Sequence, residues 1–521
     1  MDLTRIISTH FTNEQLLFII TGLIAGLMSF ILFTSNKISL SILFLFISGL
    51  ILRLFAAGLD PFVNIWDEQF HALVAKNMMD HPFRPTLYNN PILDYDYTNW
   101  GGNHIWLHKQ PWFLWQITLF FSLFGVNEFV LRLPSVIMLS LLILMIYRIG
   151  TLITTRRIAW YGVFLYTYSM LYILLITGQY FTDHNDAAFL FYIAASIWAW
   201  LEYTRSGKLK WVVWVGIFAG IAILNKWLVG LLVYSGWFVS VLTISGTLGK
   251  WRELKRIGLA LLLTTLVALP WQIYTMKAFP AESSYEYAYN TEHFFKALEG
   301  HDGNVWYHFL LVSHHYGSVL VLFVIVPGLV LLFGGISRKG VRAAMITIVI
   351  TTYLFFTLAA TKMPLFVTIV MPVMFLGLAA VLDKVIDTVS GWLPARLVPF
   401  LLVPLLVYMS YTNLSVHNMD LWHTDQHLVW RKMRMNTLIC KQAAGRLPSK
   451  DYVIFNTGGY NAIMFMFYTG YTTYGFYPTP EHMKMLKDRN IPVAVFADEN
   501  IPGYLRDDPE VIRFYYPVFR Y

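Results

Sequence analysis

The chain has 521 residues, of which 57% are hydrophobic, 17% aromatic and only 13% charged. That balance excludes an ordinary soluble protein, which needs more polar surface than this chain owns. The formal charge of +8 is spread over short loops, so it speaks of membrane topology rather than of nucleic acid, and no nucleic-acid partner is expected.

Apolar runs of about 20 residues, long enough to cross a hydrocarbon layer of about 30 Å, recur along the chain. They lie near 15–34, 38–57, 128–149, 158–177, 185–203, 210–224, 226–247, 257–275, 317–335, 341–360, 364–383 and 395–412. The pattern predicts a polytopic α-helical membrane protein with about twelve to thirteen transmembrane helices. The first run lacks a small-residue cleavage site and a second follows almost at once, which predicts a retained span. Arg148, Arg156 and Arg157, then Arg205, Lys208 and Lys210, then Lys250, Arg252, Lys255 and Arg256, then Arg338, Lys339 and Arg342 fall in every second short loop. Those loops are expected to face the cytoplasm. Both termini, the long loops 58–127 and 276–316 and the tail then lie outside, with the histidines and most of the acids.

Within the first long loop, 111–125 is amphipathic and short for a span, and predicts a helix lying in the interface. The loop 276–316 carries Tyr285, Tyr287, Tyr289, Glu282, Glu286, Glu292 and His293, an aromatic content that argues for order. After about residue 413 the pattern becomes soluble. Strands are predicted at 451–456, 492–496 and 511–516 and a helix at 480–489, which together make a small α/β domain over 413–521 behind a transmembrane domain over 1–412. The single cysteine, Cys440, can form no internal disulfide. No internal repeat is evident.

Chemistry-bearing residues cluster in the outer loops. Trp66-Asp67-Glu68-Gln69-Phe70-His71 puts two adjacent carboxylates at a helix start, where they serve either as ordinary caps or as a desolvated general base. His104-Ile105-Trp106-Leu107-His108-Lys109-Gln110-Pro111 brings a cation and two imidazoles before the interfacial helix, to anchor it or to hold a lipid phosphate. Arg132 at the outer end of the next span is equally ambiguous. Thr182-Asp183-His184-Asn185-Asp186 concentrates two carboxylates and an imidazole in a short turn, which costs desolvation without a compensating partner. Lys226 and Lys362 add one cation each to other outer turns. Carboxylates, imidazoles and isolated cations at one membrane level suit a reaction with a phosphate leaving group and an incoming hydroxyl.

These stretches resemble the polytopic GT-C glycosyltransferases, particularly the lipid A aminoarabinose transferases and protein O-mannosyltransferases that use polyprenyl-phosphate sugars. The resemblance covers roughly the first 385 residues. It rests on Asp67-Glu68, on His108-Lys109-Gln110-Pro111, on the stretch from Gly125 to Ser135 ending in Arg-Leu-Pro-Ser, on Asp183 to Asp186, and on Lys362-Met363-Pro364 with Pro372 following. It implies a GT-C-like fold in the cell inner membrane, with the active site facing the periplasm and a soluble C-terminal α/β domain on that side. The implied activity is inverting transfer of a sugar from undecaprenyl phosphate, or a related lipid, to a lipid, glycan or protein acceptor. The implied catalytic residues are Asp67, as base, with Glu68 and Asp183. Lys109, Arg132, Lys226 and Lys362 are the candidate donor-phosphate ligands, and His108, His184, Asp186, Tyr285 and Glu286 the candidate substrate contacts. Two departures stand out. Phe70 and His71 occupy places where relatives often carry Arg-Tyr, and His108 replaces a common glutamate, which weakens metal binding there although His108 with His293 remains a possible divalent-metal pair. A lipid or glycolipid transporter is the main rival and a scaffold the second. Transporters place ionisable residues near the bilayer midplane, and little beyond Arg53 and Arg132 is charged within these runs.

Overall fold

A computed structural model describes residues 9–179, 183–317, 319–392 and 414–520, without the side chain of Asp183. Among the described residues, eight helical stretches are long and apolar enough to cross a membrane: Asn13–Thr34, Ile38–Ala57, Glu128–Ile153, His184–Ser206, Leu209–Leu242, Thr247–Ala278, Lys339–Leu358 and Phe366–Ser390. The chain is a multi-pass membrane protein. The pair Tyr307–Tyr316 and Leu320–Gly335, bent by 95°, would make a ninth span.

The expected twelve are reduced for identifiable reasons. The run 158–177 breaks into Arg156–Thr167 and Met170–Leu174, with Ser169 extended between them. Residues 159–169 are all buried among other helices, so packing rather than an unbroken span covers their apolar surface. The runs 210–224 and 226–247 are contiguous in Leu209–Leu242 but turn back at the 3-10 segment Trp227–Leu231, so they remain two antiparallel arms as expected. Gly216 and Gly220 lie against Ala260 and Thr264, so Leu209–Lys226 runs parallel to Thr247–Ala278. Tyr234 and Trp237 meet Thr264 and Glu253 in the opposite order, so Leu232–Leu242 runs antiparallel to both. The run 395–412 lies outside the described residues.

The helix expected over 111–125 forms at Trp112–Phe124; it buries Phe113, Leu114, Ile117 and Phe121 and exposes Leu119, Leu123 and Phe124. In the tail, β1 (Val453–Phe455), β2 (Val493–Phe496) and β3 (Ile512–Phe514) form a parallel sheet in the order β1-β2-β3, with the helix Pro480–Asp488 between β1 and β2. Thr479 caps that helix through the His482 amide, and Pro480 takes a first-turn position that needs no N–H.

The tail does not stand apart, because its core is continuous with that of the helices. The Tyr468 hydroxyl accepts from the Val63 amide and donates to Glu128, each at 2.9 Å, and Tyr88 donates to the Thr473 carbonyl at 3.0 Å. Asp60 joins the two parts: His423 Nδ1 and Trp430 Nε1 each lie 2.8 Å from Oδ1, and Asn64 donates to Oδ2 at 2.8 Å. Burial pushes the Asp60 carboxyl up, but His423 and Arg132 outweigh it and hold the group below the usual carboxylate range.

Removing that acceptor leaves buried donors unpaired, at a cost of about 1–3 kcal/mol. Asp60→Ala is expected to lower Tm and to open the tail to limited proteolysis, whereas Lys487→Ala, which breaks a half-exposed pair with Asp508, is expected to change little. Equal protease resistance of wild type and Asp60→Ala would show that the tail is held by other contacts.

Candidate active site

The site is organised by one buried ion pair. Asn127 caps the helix Glu128–Ile153 by accepting from the Val130 amide at 2.9 Å, and one turn on stands Arg132, wholly buried. Its Nε and Nη2 donate to the two oxygens of Glu68 at 2.8 and 2.9 Å. The other N–H groups donate to the carbonyls of Ala57 at 3.0 Å, Asp60 at 2.7 Å and Phe62 at 2.8 Å. All five guanidinium N–H groups are thereby used. Glu68 also accepts from the Asn64 amide at 2.6 Å and meets His184 Nε2 at 3.1 Å, while His184 Nδ1 lies 3.0 Å from Ser135 Oγ. Burial alone would raise the Glu68 carboxyl; Arg132 and His184 overcome it and hold it low. Gly178, at φ +77°, passes so close that a Cβ there would sit 2.0 Å from Glu68 Cδ.

The two carboxylates that the sequence pairs therefore diverge. Successive residues on a helix point about 100° apart, so with Glu68 turned inward at the start of the helix Asp67–Asn77, Asp67 faces a cavity of about 860 Å³. Trp66 enters this helix at φ +69° and ψ −130°, a conformation costly for a residue with a side chain. A second tryptophan on the cavity wall, Trp227, is held at φ +58°.

Lys109 Nζ lies 3.6 Å from Asp67 Oδ2, and Lys226 pairs with Asp186. Both ammonium groups line the cavity with Asp67. Leu228, Val229, Phe355, Phe356 and Phe366 form an apolar wall, and Leu228 is 69% exposed at its edge. His108 stacks on Trp100 at 5.2 Å between centroids and lies 3.5 Å from the buried Glu286.

The cavity thus gathers Asp67, Lys109, Lys226, His108 and His293 and leaves other expected residues outside it. Arg132 is not placed to hold a donor phosphate, because every N–H is committed, and Glu68 is its counter-ion rather than a base facing substrate. Lys362 donates to the carbonyls of Phe356 at 3.1 Å, Thr357 at 2.6 Å and Ala359, closing the C-terminus of Lys339–Leu358 instead of reaching the cavity. His184 stands behind Glu68. Tyr285 stacks on Tyr289, away from the lining. His108 and His293 flank the Tyr289 ring, and His293 Nδ1 is already 2.9 Å from Thr361 Oγ1. Among the described residues no three His, Cys, Asp or Glu side chains converge as a metal site. The sequence reading missed Trp100 and Tyr460, both in the lining. Tyr460 follows Gly458-Gly459 just after a predicted strand, a signal available in the sequence.

Comparison with known proteins bears on the fold. The dolichyl-phosphate-mannose-protein mannosyltransferase family model matches residues 108–274. No curated protein matches the chain. A crystal structure of ArnT from Cupriavidus metallidurans bound to undecaprenyl phosphate superposes at a TM-score of 0.62, with 17% identity over 85% of this chain and 87% of that one. The apo form of the same protein gives 0.59 at 15% identity, over 90% and 88%. The oligosaccharyltransferase AglB from Archaeoglobus fulgidus, in complex with an inhibitory peptide and a dolichol-phosphate, gives 0.52 at 13% identity, over 83% of this chain and 64% of that one. The resemblance to GT-C glycosyltransferases read from the sequence is borne out, and at these identities what the solved structures share with this chain is the fold.

His71, one turn beyond Asp67, is fully buried with its ring 4.7 Å from Phe113. Burial pushes its imidazole down from 6.5 to about 4, against an upward pull from Asp67. Between those values the unfolded chain takes a proton that the folded protein refuses. Stability is therefore full above about pH 6.5 and falls as pH drops toward 4, by roughly 2–3 kcal/mol. The Tm of wild type is expected to fall between pH 7.5 and pH 5, and His71→Gln to narrow that fall; an unchanged pH dependence would mean that another group carries it.

Proposed function

We propose that this chain is an inverting glycosyltransferase that moves a sugar from a polyprenyl-phosphate donor, undecaprenyl phosphate in a bacterial envelope, to a hydroxyl or phosphate of a lipid, glycan or protein acceptor. One observation carries the reading: a carboxylate, Asp67, shares a cavity with two ammonium groups, Lys109 and Lys226, and with an apolar wall. That combination matches a donor with a greasy chain, an anionic phosphate and a sugar.

In this reading the polyprenyl chain lies along Leu228, Val229, Phe355 and Phe356, and the phosphate lies between Lys109 and Lys226. Asp67 takes the proton of the acceptor hydroxyl as its oxygen attacks the anomeric carbon. The bond from that carbon to the phosphate oxygen breaks, and the lipid phosphate leaves with the electron pair, stabilised by the ammonium groups. A single displacement inverts the anomeric centre. The partners Asp67 and Asp186 hold the two ammonium groups in place, and the incoming phosphate competes for them. The 413–521 segment serves as a docked domain over this site. The basic residues Arg148, Arg157 and Arg338 cluster at the opposite ends of the helices, which supports a periplasmic site in an inner-membrane protein. The transporter reading is not favoured, since Asp67, Lys109, Lys226, His108 and His293 gather in one cavity at one end of the bundle.

Purified protein given a radiolabelled polyprenyl-phosphate sugar is expected to release lipid phosphate and label an envelope acceptor; movement of intact donor between leaflets without cleavage would support the transporter instead. Asp67→Asn is expected to lower transfer at least about 100-fold while Tm holds, and near-normal transfer would remove Asp67 as base. For Lys109→Ala the donor KM is expected to rise about tenfold with little change in the acceptor KM. Equal effects on the two would deny Lys109 its role.

A further inference from the structure

We propose that Trp66 and Tyr460, backed by Trp100, form a stacking platform for a pyranose ring, with Tyr460 a specificity-determining residue supplied by the C-terminal segment. This rests on the glycosyltransferase reading and deepens it. All three rings line the cavity. Tyr460 lies 5.3 Å from Trp66 and 5.7 Å from Trp100, the latter pair near parallel at 27°. Phe70, wholly buried, backs them at 4.6 Å from Trp100 and 5.6 Å from Tyr460. Trp66 is 42% exposed although it belongs to this cluster, so part of its face is left for a ligand.

The position of Tyr460 is set by the backbone. It sits just past the carboxyl end of β1, where ligands of open parallel sheets commonly bind, on a loop with Gly458 at φ +80° and Gly459 at φ +49°. Gly475 packs so tightly there that a Cβ would meet the Gly459 carbonyl at 2.7 Å, and a Cβ on Gly101 would meet the Tyr460 ring at 3.0 Å. Gly101 leaves room for this ring, and Gly475 for the loop that carries it. In the proposed reading the cations take the phosphate and the phenylalanine wall takes the lipid chain, while Asn185, Asn225, Asn290 and Glu299 also line the cavity. Beside Asp67 stands the aromatic wall, and the C–H face of a pyranose is a good partner for the negative face of an aromatic ring. The ring is either the donor's sugar or a sugar of the acceptor.

The test uses the full-length protein in detergent, with undecaprenyl phosphate and its mannose, glucose and 4-amino-4-deoxyarabinose conjugates as probes. The ratio of bare-lipid Kd to sugar-lipid Kd reads the sugar's contribution. Tyr460→Ala is expected to lower that ratio about tenfold for the preferred conjugate, and Tyr460→Phe, which keeps the ring face, to restore it. If the ratio holds but the KM for lipid A rises about tenfold in Tyr460→Ala and recovers in Tyr460→Phe, the platform holds an acceptor sugar. Loss in both variants would show that stacking is not the role, and no change in Tyr460→Ala would overturn the platform while wild-type transfer keeps the glycosyltransferase reading. Should wild type transfer nothing, that reading falls and the ratio alone decides the platform, a wild-type ratio of one overturning it.

Discussion

The structure depends on the buried pair of Arg132 and Glu68. A guanidinium with no exposure at a helix end is intolerable unless each N–H finds an acceptor, and here two go to one carboxylate and three to carbonyls of the loop that precedes it. Breaking such a pair leaves an uncompensated buried charge, a cost of about 3–5 kcal/mol. The loop 58–66 is thus pinned at both ends and in the middle, and the helix Asp67–Asn77 can start in only one orientation. The direction of Asp67 follows from what holds its neighbour.

Around that fixed point the cavity is assembled from distant stretches, each brought in by a different device. The hairpin at Trp227–Leu231 delivers Lys226 and Leu228; the segment before the helix Trp112–Phe124 delivers His108 and Lys109; a glycine loop delivers Tyr460. Ion pairs with Asp67 and Asp186 hold the two lysines, so the site is close to neutral in itself. Phe70 packs a phenyl ring that supports Trp100 and Tyr460.

Much of this was legible in the sequence, and the unread parts share a cause. Run length and hydropathy mark Ile38–Ala57 and Glu128–Ile153 because a span has to be apolar throughout, and short continuous apolar runs mark β1 and β2 because strands of a parallel sheet are buried on both faces. Composition could not tell that 158–177 would break, since a segment buried on all sides needs no unbroken helix. It could not sort the cations either. Lys109, Arg132 and Lys362 all stand near the ends of apolar runs, yet one faces a cavity, one is sealed against Glu68 and one caps carbonyls, a distinction made by partners far away in sequence. The glycines before Tyr460 mark a turn in the sequence, but its place at the site was not legible there: the docking of the tail through Asp60, Tyr88 and Tyr468 is what brings it to the helices.

The central claim is that Lys109 and Lys226 flank the place of a lipid-linked phosphate, with Asp67 beside it. Determination of the structure of the protein with bound undecaprenyl phosphate tests this most directly. The account predicts phosphorus within about 4 Å of both ammonium groups and the lipid chain leaving past Leu228 and Phe355. A phosphate seated against Lys362, or anywhere outside the cavity that Asp67 faces, would contradict it.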